Sequence, residues 1–110
     1  MTRFLCGFVL TVTMLLVLPN ASMAQTISGM GTRTCGALLE AAERDSKAAI
    51  DGYLSWAQGF ISGYNWSNPG SREVRLDHAG LFHWLLQYCT SNEQEKYYQA
   101  VQSAINVHAR

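Results

Sequence analysis

The chain has 110 residues, 48 % hydrophobic and 15 % charged, with eight acidic and eight basic side chains that balance to no net charge. That length supports one domain, and the balance lacks the basic face that nucleic-acid binders need, so no nucleic-acid partner is expected.

Met1-Thr2-Arg3 gives a short basic start, residues 4–18 form an apolar run, and 19–24 break it and end in Ser22-Met23-Ala24, with small residues at a cleavage point. This pattern predicts a signal peptide over 1–24 and a periplasmic or secreted mature chain. The run is interrupted by Thr11 and Thr13 and is shorter than the ~18 apolar residues of a membrane span, so no membrane contact is expected after cleavage. Cys6 leaves with the leader. The remaining chain carries eight acids against seven bases, a net charge of −1 with histidines neutral.

Cys35 and Cys89 then remain, and an even count in an oxidising compartment reads as a disulfide rather than two buried thiols. Closing a loop of about 55 residues stabilises by roughly 4 kcal/mol in the chain-entropy model, a large share for a small core.

Residues 25–33 hold Gly29 and Gly31 and no apolar repeat, so a flexible lead-in is expected before a domain over 34–110. Cys35, Leu38, Leu39 and Ala42 follow at helical spacing with Thr34 as candidate N-cap, and Asp45-Ser46 reads as a break in direction.

A second helix is expected over 47–64. Ile50, Tyr53, Leu54, Ala57, Phe60, Ile61 and Tyr64 fall on one side of it, and Gly52, Ser55, Gly59, Ser62 and Gly63 line the other. Each interior glycine costs up to about 1 kcal/mol relative to alanine, which implies close approach of a neighbour. Packing inside the domain against Gly52, Gly59 and Gly63 is the favoured expectation, and an interface with another protein is the alternative.

Residues 65–75 read as the main loop, with Asn68-Pro69-Gly70-Ser71 as turn chemistry and Trp66 within it. A third helix over 77–88, capped by Asp77, is apolar around most of its circumference, the pattern of a buried helix. Ser91-Asn92-Glu93-Gln94 matches a capping box and predicts a fourth helix from there to about 108, its apolar side made by Tyr97, Tyr98, Val101, Ala104 and Ile105. The fold expected is an all-α, four-helix domain whose disulfide ties the start of the first helix to the end of the third.

Catalytic constellations are thin. His78 and His83, five apart, point in different directions on a helix and cannot grip one metal ion, and the paired cysteines supply no nucleophile. Asn65-Trp66-Ser67 fits a glycosylation acceptor, a pattern frequent by chance. No enzyme activity, cofactor or metal is expected. Tyr64, Trp66 and Arg72 are the residue types that anchor protein interfaces, and they gather near the turn as candidate partner-binding residues.

The segments Trp56-Ala57-Gln58-Gly59-Phe60-Ile61-Ser62-Gly63-Tyr64-Asn65 and Trp84-Leu85-Leu86-Gln87-Tyr88-Cys89, with Cys35, resemble small exported helical proteins of bacteria. The likeness extends over about 34–104. One group consists of the Tai-like immunity proteins against type VI secretion amidases, which implies a chain that binds and occludes a cell-wall amidase. The second consists of the HdeA/HdeB-type periplasmic acid-stress chaperones, which implies dissociation in acid and shielding of clients. The partner implied is another protein, a toxin or a client, or a second copy of the chain.

Overall fold

The structure, a computed structural model, describes residues 26–109; the expected leader over 1–24 lies outside them. Four α-helices follow in order, α1 (Cys35–Glu43), α2 (Lys47–Ser67), α3 (His78–Thr90) and α4 (Tyr97–His108), with short 3-10 turns at Gly29–Thr32 and Gly70–Arg72. No strand occurs among the described residues, and an isolated antiparallel bridge joins Thr34 to Lys96. No helix among them is long and apolar enough to cross a membrane.

Each helix end has a local cause. Thr34 is extended and its Oγ1 accepts the Ala37 N–H at 3.3 Å, the cap expected from sequence. The next unpaired donors of α1, the N–H groups of Cys35 and Gly36, reach the carbonyls of Glu95 (2.7 Å) and Glu93 (2.9 Å). The helix stops where Asp45 turns left-handed, with φ of 51°, so that its N–H reaches the Ala42 carbonyl and the Ser46 N–H reaches that of Ala41. This is the Schellman arrangement that glycine usually completes. At α3 the Asp77 Oδ1 accepts the Gly80 N–H at 2.6 Å.

The core gathers Leu38, Leu81, Leu85, Tyr97 and Val101 around the Cys35–Cys89 disulfide, all fully buried. The bridge joins the first residue of α1 to the last turn of α3, as the cysteine count predicts. α4 is tied to α2 by the Tyr97 hydroxyl, which donates to the Tyr53 carbonyl at 2.8 Å, and by edge-to-face contact of the two rings at 5.0 Å.

Four expectations are corrected. Residues 25–33 are not simply a flexible lead-in, because the Gly29–Thr32 turn docks on α2. The Trp56 indole N–H donates to the Ser28 carbonyl at 2.9 Å, and the ring covers Gly31 so closely that a Cβ there would overlap it. α2 runs through Ser67, so Trp66 sits in its last turn instead of a loop. α3 is not buried all round: Leu81, Leu85 and Cys89 face the core, while His78, Ala79, His83 and Gln87 are exposed. Ser91 does not cap α4. Asn92 closes α3 by donating to the Tyr88 carbonyl at 2.8 Å, and α4 begins at Tyr97, where the Gln99 Oε1 accepts the Lys96 N–H at 2.9 Å.

Candidate functional site

α2 is buried on one side only. Tyr53, Leu54, Ala57 and Ile61 face the core. At 100° per residue, Gly52, Ser55, Gly59, Ser62, Gly63 and Trp66 share about 100° of arc on the outer side. Gly52 is half-buried with the Met30 Cε at 3.6 Å from where a Cβ would stand, but among the described residues nothing lies within 4 Å of such a position at Gly59 or Gly63. The internal packing expected at these two glycines is therefore not present. Both face solvent, as do Ser55 and Ser62.

Trp66 stands at the end of this lane and is 90 % exposed. Beside it, Ser62, Asn65, Trp66, Pro69 and Glu73 line a hollow of about 490 Å³. The far wall is held to the helix by Asn65, whose Nδ2 donates to the Val74 carbonyl at 3.0 Å while its Oδ1 accepts the Val74 N–H at 2.8 Å. One side-chain amide thus imitates a β-bridge and pins Val74, 3 % exposed, against the core. Glu73, next in the wall, meets the Arg75 guanidinium at 3.3 Å. The Asn65-Trp66-Ser67 sequon lies in helix, and its amide is already committed to this clamp.

The three expected anchors do not converge. Trp66 lines the hollow; Tyr64 is half-buried on another side of α2, in a 370 Å³ groove with Phe60, Gln102 and Ile105; and Arg72 is exposed in the 3-10 turn. Asn65 and Glu73, unsuspected from sequence, join Trp66 instead. A signal for Asn65 was present, since it continues the Leu54, Ala57, Ile61 spacing as a polar residue in register with a buried stripe.

On α3 and α4 the Tyr88 hydroxyl donates to Glu95 Oε2 at 2.6 Å and accepts from Ser103 Oγ at 3.2 Å. The Glu95 carboxylate beside it raises the Tyr88 pKa. Trp84 stacks on Tyr88 at 5.1 Å and meets the His108 ring edge-on at 5.8 Å. His78 and His83 are exposed, and no three His, Cys, Asp or Glu side chains among the described residues form a group that could hold a metal.

No known protein family matches the chain, and neither a curated protein nor a solved structure shows significant similarity to it.

Proposed function

We propose that this chain is an exported protein-binding domain that uses the outer side of α2 as its contact face, working as an immunity-type inhibitor of a cell-wall amidase. The observation that carries the reading is Trp66, 90 % exposed at the end of a lane in which Gly59 and Gly63 have no neighbour within the described chain. A lane without side chains lets a partner backbone lie close to the helix, and a protruding indole is a favoured anchor for such a contact. The Cys35–Cys89 bridge suits an oxidising compartment such as the periplasm, which the leader pattern of the first 24 residues also favours. The acid-stress chaperone reading has less support, because among the described residues no acidic side chain is buried where its protonation would loosen the core.

The test is inhibition of type VI secretion amidases acting on purified cell wall. Stoichiometric addition of the chain should stop hydrolysis, and Trp66→Ala should weaken the complex by about 2 kcal/mol, roughly 30-fold. Undiminished hydrolysis at saturating chain would refute the amidase assignment. Unchanged affinity of Trp66→Ala would remove the contact face from α2.

A further inference from the structure

We propose that a second site, near the start of α2 and away from the Trp66 hollow at its end, binds a carboxylate group carried on a short apolar stem. It is a cavity of about 180 Å³ where the Gly29–Thr32 turn, α1 and α2 meet. Met30 and three alanines, Ala37, Ala41 and Ala49, give it apolar walls, while Arg33 and Arg44 bring guanidinium groups and Tyr53 a phenol.

Tyr53 is the decisive residue. It is 2 % exposed, yet its hydroxyl has no hydrogen-bond partner among the described residues, since the Tyr97 bond goes to its backbone carbonyl. Among the described residues no side-chain polar atom sealed from solvent lacks a partner, so the Tyr53 O–H is in contact with solvent, and Tyr53 is one of the residues that line the cavity. That hydroxyl meets water and is free to donate to an acceptor that displaces it.

The rim adds positive charge. Arg33 is anchored through its carbonyl, which accepts the Tyr97 N–H at 2.7 Å, and no carboxylate among the described residues lies within 4.0 Å of its guanidinium. Arg44 meets Glu40, also on the rim, only at 3.9 Å and in an exposed pair that adds little. Two guanidinium groups against one carboxylate leave the site with an excess of donors and one net positive charge. The fork of arginine matches a planar carboxylate in two-point geometry, and the alanine walls favour an attached methyl or methylene group over a fully hydrated tetrahedral oxyanion. At ~30 Å³ per non-hydrogen atom, the volume of a water, the cavity accepts about six such atoms. A free short-chain acid and the C-terminal residue of a peptide share this chemistry.

The probes are propionate, its uncharged amide propionamide, acetyl-alanyl-alanine and the C-terminal amide of that peptide. Amide resonances of Ala37 and Ala41 are followed by heteronuclear NMR during titration of the mature chain. Propionate should give saturable shifts and propionamide none, and Tyr53→Phe and Arg33→Gln should each weaken binding about tenfold, the scale of one charge-assisted hydrogen bond. Tighter binding of the peptide than of propionate, abolished by its C-terminal amide, would identify a peptide terminus; equal binding would identify the free acid. Equal shifts with propionamide, no saturable shift with either acid, or binding untouched in both variants would overturn the proposal. Arg33→Gln changes an exposed side chain and leaves the fold intact as the reference for Tyr53→Phe.

Discussion

Replacing Asn65 by alanine removes both hydrogen bonds that pin Val74, and the cost follows from two competing responses. If the loop stays docked, the Val74 N–H and C=O are left unpaired beside the core, at about 1–3 kcal/mol each. If the loop lifts, those groups regain water but the Val74 side chain, 3 % exposed, is uncovered at about 1.5–3 kcal/mol. The molecule takes the cheaper route, so the loss is capped near 3 kcal/mol and is expected at about 2 kcal/mol with the loop lifted. Urea unfolding followed by circular dichroism reads the stability, and hydrogen exchange at the Val74 amide reads the route. Asn65→Asp is the control that separates a hydrogen-bond effect from packing. A neutral carboxyl can donate to the Val74 carbonyl and accept its N–H as the amide does, whereas a carboxylate repels the carbonyl oxygen. Folding therefore raises the pKa of this carboxyl above about 3.9, and the stabilisation is complete below that value and lost as pH rises through the folded-state pKa. A loss under about 0.5 kcal/mol in Asn65→Ala, with Val74 still protected, would refute the clamp.

Removing the disulfide by Cys35→Ala with Cys89→Ala should cost about 4 kcal/mol by chain entropy, read as a fall in the urea midpoint with a steeper slope, because the denatured chain without the cross-link is more expanded; a loss below about 1 kcal/mol would contradict it. Stability should also fall above about pH 10. Hydrogen bonding to Glu95 raises the Tyr88 pKa and burial raises that of Tyr97, so the native state keeps protons that the unfolded chain releases from pH 10.0 upward. Unfolding curves at pH 8, 10 and 11, repeated with Tyr97→Phe, check this; the decline should be shallower in the variant, and an equal decline would assign it to other groups.

Most of the helical architecture could be read from the chain because it rests on short-range spacing. Thr34 and Asp77 cap the helices they precede, and the two cysteines imposed the α1–α3 junction. Expectation and structure part where a distant segment decides the outcome. The Gly29–Thr32 turn has no periodicity of its own and is ordered by Trp56, far along the chain; the donors at the start of α1 are met by carbonyls of Glu93 and Glu95, which also displaces the start of α4 to Tyr97. The continuous apolar content of α3 did not bury it, because Leu81, Leu85 and Cys89 already fill the stripe at spacing four and leave Trp84 and Tyr88 to stack at its edge. For the site, the residue types that signal an anchor were visible, but not that Tyr64 and Trp66 project to different sides of one helix.

If the outer side of α2 is the proposed contact face, its glycines set stability against binding. Gly59 and Gly63 each cost the helix about 0.8–1.0 kcal/mol relative to alanine. Neither has a positive φ that would require glycine, and among the described residues neither has a neighbour that a methyl group would strike. Nothing in the fold recovers that cost. Alanine at both positions should therefore raise the unfolding free energy by about 1–2 kcal/mol, seen as a higher urea midpoint, while an added pair of methyl groups lifts a docked partner off the lane. Greater stability together with lost amidase inhibition is the joint outcome expected of a contact face. Greater stability with full inhibition would mean that the lane is unused, and lower stability would mean that the two glycines are packed after all.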